Sequence, residues 1–523
     1  MGLKNIQKNE QQALQQQTQF IRFGLIFFFM AGILLYVYLI SKGLHGSIVL
    51  LASAVIGGYM AMNIGANDVA NNVGPAVGSK AITLFWAIVI AAIFEASGAL
   101  LAGGEVVSTI KNSIIDPSKL DDTKTFVWLM VSALLAGAVW LNLATLFGAP
   151  VSTTHSIVGG VLGAGIAAGG FGIANWEKMG AIAASWIISP VLGGAIAASF
   201  LFFIKKKIIY QTDMIQAARK YVPILIGLMA WAFSTYLALK GLKKIWKLDF
   251  QTAAIIGFGV ALAVYFIVKP FINRKSETVE NSRESINKLF TVPLVFAAAL
   301  LSFAHGANDV ANAVGPLAAI ADAIQPGSGI SGKAPIPLWV MMIGALGISL
   351  GLLLFGPKII RTVGAEITEL DKSRAFCVAM AAAITVIIAS QLGLPVSSTH
   401  IAIGGIFGVG FLREYLKTSY ANQLQDIISD HEGEEKVRLQ KFLESFQTAP
   451  VEDMEKMIKQ AKKQKDELGL KKSERKKMKK LYSDKLVKRS AVKKIVAAWI
   501  ITVPASATLA AGVFFMVNDL PLG

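Results

Sequence analysis

Eleven residues, Gly65-Ala66-Asn67-Asp68-Val69-Ala70-Asn71-Asn72-Val73-Gly74-Pro75, place a carboxylate and three amides between the apolar runs Ile48–Met62 and Ala81–Leu101. An Asp at the centre of a bilayer helix costs about 2.5–3.5 kcal/mol on insertion scales, so such a residue usually faces a cavity and binds something there. The same words return 241 residues later, at Gly306-Ala307-Asn308-Asp309-Val310-Ala311-Asn312-Ala313-Val314-Gly315-Pro316, with ten of eleven positions identical. One copy reads equally well as polar glue between helices. Two copies in corresponding places, each punctuated by Gly and Pro, point to the binding sites of a transporter.

Asp68 and Asn71 are three apart and Asn72 is four from Asp68, which puts them on one helix face; Asp309 and Asn312 repeat the spacing. The flanking glycines and closing prolines predict a local break in each helix that frees backbone carbonyls. Carboxylate, amide and carbonyl oxygens are hard donors that suit a small hard cation, so the duplication implies two cation sites around a shared centre.

A second pair of words carries the opposite chemistry. Pro150-Val151-Ser152-Thr153-Thr154-His155 and Pro395-Val396-Ser397-Ser398-Thr399-His400 match at five of six positions, offset by 245. Each lies between two apolar arms, Phe126–Phe147 and Ser156–Gly170 in the first, Phe376–Leu392 and Ile401–Leu412 in the second. That pattern predicts a re-entrant hairpin whose tip is buried in protein or lines a water-filled cavity. Gly159 and Gly163, four apart, let the second arm pack closely on a neighbour. Six hydroxyls, on Ser152, Thr153, Thr154, Ser397, Ser398 and Thr399, sit at two helix starts, where free N–H groups attract anions. This is an oxyanion site without Arg or Lys, so bound cations supply the positive charge and the two ligands bind together.

Other polar residues compete with simpler readings. Glu95 stands alone in an apolar span and is a functional candidate by its cost; its counterpart in the second half falls near Gly347, so its role is asymmetric. His155, His305 and His400 touch the motifs. With no carboxylate neighbour evident in sequence, they read as packing or tip-ordering residues ahead of proton carriers. Thr145 and Thr385 read as bonding the preceding turn. Cys377, the single cysteine, reads as a small core residue and allows no internal disulfide.

The elements that must position these residues are membrane helices. Of 523 residues 54% are hydrophobic and 16% charged, and mean hydropathy is +0.57; a soluble domain carries about 25% charge. The apolar runs have helix length and lack the alternation of a barrel. The net charge of +17 lies largely in loops, as expected of cytoplasmic loops, and calls for no nucleic acid. The fold expected is an all-α polytopic inverted-repeat transporter with two re-entrant helical hairpins and a cytoplasmic helical insert.

Its parts are 1–45, a tail without a fold of its own and an extra span; 46–272, the first repeat with its hairpin near 126–170; 273–289, a cytoplasmic linker; 290–412, the second repeat with its hairpin near 376–412; 413–489, a charged cytoplasmic insert; and 490–523, the last span. Placing Lys205–Lys207, Arg274–Lys288, Lys358–Arg374 and Arg413–Arg489 inside makes the two motif helices run in opposite directions, an inverted repeat. Lys240, Lys243, Lys244 and Lys247 then fall outside, against the rule. The Lys/Arg cluster 471–480 reads as a solvated face.

On the doubled Gly-Ala-Asn-Asp-Val-Ala-Asn and the doubled Pro-Val-Ser-Thr/Ser-Thr-His, the chain resembles the inorganic phosphate transporter family, the sodium- or proton-coupled phosphate permeases, over roughly 47–410 and the last span. The resemblance implies sodium-driven phosphate uptake at the cell membrane by a homodimer, with no resident cofactor. It implies sodium at Asn67, Asp68, Asn308 and Asp309. Phosphate would lie at Asn71, Asn312 and the two tips. Glu95 matches the family's Phe-Glu; the second half lacks such an acid. The N-terminal span and the insert fall outside the pattern. Proton coupling and sulfate as substrate stay open within the class. An intramembrane Ser/His/Asp hydrolase would need a nucleophile elbow that is absent, and a channel would not carry its substrate uphill.

Overall fold

The computed structural model describes residues 2–120, 122–146, 151–241, 248–325, 335–366, 370–416 and 489–522, with a few positions between 440 and 457. Its helices are α1 (Gly2–Ser41), α2 (Ser47–Gly78), α3 (Leu84–Ala102), α4 (Gly104–Asn112), α5 (Thr123–Leu146), α6 (Thr153–Gly169), α7 (Trp176–Ile204) and α8 (Met214–Lys240). There follow α9 (Phe250–Glu277), α10 (Arg283–Leu289), α11 (Thr291–Ala323), α12 (Leu338–Glu366), α13 (Lys372–Gln391), α14 (Ser398–Leu416) and α15 (Arg489–Val517). Among the described residues eleven helices are long and apolar enough to cross a membrane. They include the extra N-terminal span, in α1, and the first arm of each expected hairpin, α5 and α13. No lipid-exposed segment leaves its backbone polar groups unpaired when the segment is helical, which is why the apolar runs fold this way.

Side-chain caps set several helix starts: Asn175 accepts from the Lys178 amide, Asp213 from Gln216 and Asp371 from Arg374, at 3.1, 2.8 and 2.9 Å. Helix α11 is the centre, buried without interruption from Ala297 to Ala323. Helices α1 and α9 lie at the periphery with most of their apolar side chains exposed.

The two halves exchange contacts in matched pairs. A Cβ on Gly65 of α2 would collide with the Ile348 backbone of α12, and one on Gly306 of α11 with the Glu95 backbone of α3. Gly351 meets Met62 as Gly98 meets Phe303. Gly159 and Gly163 of α6 lie on Val503 and Ala507 of α15, while Gly404 and Gly408 of α14 lie on Pro190 and Gly194 of α7. The neighbour expected for Gly159 and Gly163 is therefore the last span.

Two expectations are corrected. Residues 2–20 are the first turns of α1 rather than a tail without structure; Gln, Lys, Leu and Glu are good helix formers, and a helix already nucleated by the apolar span extends at little cost. The motif helices do not break: α2 and α11 run unbroken through Pro75 and Pro316. Gly65, Gly306 and Gly315 serve close helix approach instead of flexibility, while a Cβ on Gly74 would meet nothing within 4 Å. The freed carbonyls survive without a break, because Pro75 has no N–H to give Asn71 and Pro316 none to give Asn312. The 413–489 insert, its apolar residues near 442–446 and the cluster 471–480 lie almost wholly outside the described residues.

Candidate functional site

Helices α2 and α11 bring the two motif faces together, and the starts of α6 and α14 meet them there. Asp68 accepts hydrogen bonds from Thr399 Oγ1 at 2.9 Å, Thr153 Oγ1 at 3.3 Å, Asn67 Nδ2 at 3.3 Å and Asn71 Nδ2 at 3.4 Å. Asp309 accepts from Ser398 Oγ at 3.0 Å, Thr154 Oγ1 at 3.1 Å and Asn312 Nδ2 at 3.1 Å. Each carboxylate thus takes one hydroxyl from each tip, and the pattern repeats with the halves exchanged. Asn71 donates to Thr399 at 2.8 Å, as Asn312 donates to Thr154 at 3.1 Å. Both aspartates are buried, and nearly every lone pair they offer is used, which is what permits them there.

The remaining predicted residues take supporting places. Ser152 and Ser397 are the helix caps, accepting from the His155 and His400 amides at 3.2 and 3.3 Å. Asn308 gives its amide to the second tip, donating to Leu394 O at 3.2 Å and Ser390 Oγ at 3.0 Å and accepting from the Val396 amide. Asn67 and Asn71 are half-buried, whereas Asn308 and Asn312 are fully buried. The Oδ1 oxygens of Asn72 and Asn312 are buried without a hydrogen-bond partner among the described residues. Thr385 bonds the Ala381 carbonyl and Cys377 the Ser373 carbonyl, as expected of core residues.

His305 overturns the reading of the histidines. Its Nε2 lies 2.9 Å from Asp309 and 3.7 Å from Asp68, and its Nδ1 lies 3.3 Å from Glu95. Glu95 in turn accepts from Asn72 Nδ2 at 2.8 Å. Two of these acids come from other helices and are invisible along the chain. The third was legible, since Asp309 is four residues after His305 and shares its face. Asp68, His305 and Asp309 each offer a ligand atom within 4.8 Å of the others, a set that can hold a cation. The other two histidines pack together at the tips: the His155 ring stands edge-on to His400 at 4.7 Å and lies 3.9 Å from Trp186. Trp186 donates to the Pro395 carbonyl at 2.9 Å, a contact for which the sequence held no signal.

Buried carboxylates ringed by hydroxyl and amide donors, deep within a bundle of membrane-length helices, define a multi-span transporter. Comparison with known proteins places it further. Residues 64–510 match the model of the phosphate transporter family. A candidate phosphate permease of Helicobacter pylori strain J99 is 50% identical over 523 residues, 98% of each chain. Another, of Pyrococcus furiosus, is 38% identical over 382 residues, 73% of this chain and 91% of its own. A solved structure described as the sodium-dependent phosphate transporter aligns with TM-score 0.72 at 30% identity, over 90% of this chain and all of that one. The chain belongs to the phosphate transporter family, whose substrate is phosphate and whose members are transporters, so the hydrolase reading is set aside.

Proposed function

We propose that the protein couples sodium influx to uptake of inorganic phosphate across the plasma membrane. The observation that carries this is the bonding of Thr154 and Thr399, each to the aspartate of the other half. A hydroxyl has one hydrogen. For Thr399 to donate to a phosphate oxygen, Asp68 must take another partner, and a sodium ion is that partner. The same exchange at Asp309 frees Thr154 and Ser398. Sodium at the Asp68 and Asp309 oxygens, with Asn67 and Asn308 beside them, therefore raises affinity for phosphate at the tips, Asn71 and Asn312. Phosphate raises affinity for sodium by the same factor. The sodium-dependent transporter that the fold resembles supports the choice of cation.

In this reading the halves form an inverted repeat, the two tips are re-entrant, and the protein is a homodimer. The N-terminus and the 413–489 insert are cytoplasmic, on the side of Lys205–Lys207 and Arg274–Lys288. Lys240, against the rule in this topology, is neutralised by Glu105 at 3.2 Å. Proton coupling is the second reading, favoured by one observation: His305 touches all three acids of the centre. Sulfate is disfavoured, since phosphate keeps a P–OH that can donate to a carboxylate and sulfate at neutral pH has none.

Uptake of labelled phosphate and sulfate into proteoliposomes with imposed sodium or pH gradients tests the proposal. Phosphate accumulation that follows the sodium gradient is expected. Accumulation that follows only the pH gradient replaces sodium by protons, and preference for sulfate refutes the substrate.

A further inference from the structure

The turn of the second tip is gripped at four successive carbonyls, each by a side chain from a different element. Gly393 O accepts from Thr109 Oγ1 of α4 at 2.6 Å, and Leu394 O from Asn308 of α11 at 3.2 Å. Pro395 O accepts from Trp186 of α7 at 2.9 Å, and Val396 O lies 2.9 Å from Thr154 Oγ1 of the first tip, whose one hydrogen it shares with Asp309. Three of these donors stand on elements that form the site or run beside the hairpin. Thr109 is different: α4 carries no predicted site residue.

Helix α4 has the build of a fixed post. It has nine residues and follows α3 across the single residue Gly103. At its start Glu105 pairs with Lys240 at the end of α8, at 3.2 Å. At its end Lys111 pairs with Asp322 at the end of α11, at 2.9 Å, with both side chains buried. Breaking a buried pair of this kind is strongly unfavourable, so α4 is held to α8 and α11 at both ends. Its middle is what touches the tip. Gly393 sits there in the left-handed region, φ 66°, where the chain turns from α13 into the tip. A Cβ on Gly393 would stand 3.2 Å from Thr109 Oγ1, so α4 and the turn are in close contact.

We infer that Thr109 is a positioning residue for the oxyanion site, fixing the turn at Gly393 and through it the hydroxyls of Ser398 and Thr399. This rests on the reading of the second tip as part of the phosphate site. Thr109 meets none of the predicted phosphate or cation ligands. Its bond holds the turn in one position, and losing that position lowers the share of protein competent to bind phosphate, which raises KM and leaves the maximal rate.

The test uses the full chain, with Thr109→Val, which keeps the shape and removes the donor, and Thr109→Ser, which restores it; Thr109→Ala replaces the valine variant where that fails to fold. Hydrogen–deuterium exchange without phosphate reads the hold directly. The amides of 392–400 should exchange roughly 3- to 10-fold faster in Thr109→Val, the effect of one net hydrogen bond of about 0.7–1.4 kcal/mol. In proteoliposomes the phosphate KM should rise by up to that factor, as the competent share falls, with a maximal rate within about twofold of wild type. Serine should return both to wild type. General destabilisation would lower the amount of active protein, and so the maximal rate, without moving KM. Unchanged exchange in the valine variant overturns the inference, as does a serine variant that fails to restore it. Faster exchange with unchanged KM also overturns it, because the tip would then be held by Thr109 without serving phosphate. Absence of phosphate uptake by the wild type refutes the proposed function instead, and the exchange result still decides whether Thr109 holds the turn.

Discussion

Ile64, Ile348 and Ala313 occupy, on one side of the centre, the places that His305, Glu95 and Asn72 occupy on the other. The correspondence follows from the matched contacts Gly65–Ile348 and Gly306–Glu95 and from the register of the repeated motif. Ile64 and Ile348 are fully buried, as are His305 and Glu95. Asn72, the donor to Glu95, is the one position at which the two eleven-residue motifs differ. All three polar residues of the linked set Asn72–Glu95–His305 are thus apolar in the other half. The residues the halves share build the symmetric net of aspartates, asparagines and tip hydroxyls. The residues they do not share set a polar brace on one side of it only. Exposure differs in the same sense, with Asn67 and Asn71 half-buried and Asn308 and Asn312 sealed.

Removing what is shared should have the largest effect. Asp68→Asn and Asp309→Asn should each abolish gradient-driven phosphate accumulation in proteoliposomes, because an amide is a poorer cation ligand than a carboxylate. The comparison predicts a difference in stability. Asp309 has His305 at 2.9 Å and Asp68 has it at 3.7 Å, so the Asp309 variant should lose more thermostability, by about 1–3 kcal/mol for a charge-assisted bond. Uptake that survives in either variant would make that aspartate structural.

Making the brace apolar sharpens the comparison further. Glu95→Ile together with His305→Ile copies the Ile64–Ile348 contact into the other side. Replacing a whole buried polar cluster by apolar residues is often neutral or stabilising, but here Asp309 loses His305 and Asn72 loses Glu95, so the double variant should fold and melt below wild type. Its kcat/KM for phosphate should fall about a hundredfold, roughly 2.8 kcal/mol, the scale of a charge-assisted bond. Near-normal uptake would reduce the brace to packing.

What the chain made legible follows the same division. Asp68, Asp309, the tip hydroxyls and the helical architecture announce themselves because each is duplicated, and duplication survives any ignorance of packing. Glu95 stood out by the cost of a charge in an apolar run. Its partners did not, since Asn72 and His305 reach it across helices. The i, i+4 relation of His305 to Asp309 is legible along the chain, since both lie on one helix face. Glycine is ambiguous in sequence because one residue type serves two ends: Gly65 of α2 and Gly306 of α11 permit close crossing, with no break. Thr109 and Trp186 had no signal at all, since a donor to a distant carbonyl looks in sequence like any polar residue near a helix end.

The tip threonines test the shared net. Thr154→Ala and Thr399→Ala each remove a hydroxyl bound to the opposite half's aspartate. Each should raise the phosphate dissociation constant by roughly ten- to a hundredfold, one hydrogen bond to a charged group being worth about 1.5–3 kcal/mol. Sodium affinity should fall with phosphate present and change much less without it. Equal losses in the two variants support an exchange-symmetric site. A loss confined to one places the anion on a single tip.

Asn72→Ala is the gentlest way to probe the asymmetry, because it makes the first motif identical to the second. The change removes the 2.8 Å bond to Glu95 Oε1 and leaves Asp68, His305 and both tips untouched. Glu95 keeps His305 as a partner on its other oxygen, so the carboxylate is not abandoned, and the small side chain is already tolerated at Ala313. The expected cost is that of one hydrogen bond partly compensated, about 1 kcal/mol, which should appear as roughly a fivefold rise in phosphate KM. If the brace matters only through Glu95 and His305 together, the same variant in the Glu95→Ile, His305→Ile background should add nothing, and the two effects would be non-additive as expected of groups in one network. An Asn72→Ala effect that persists undiminished in that background would show that Asn72 acts on phosphate directly, through its otherwise unpartnered Oδ1, and that the brace ends at Glu95.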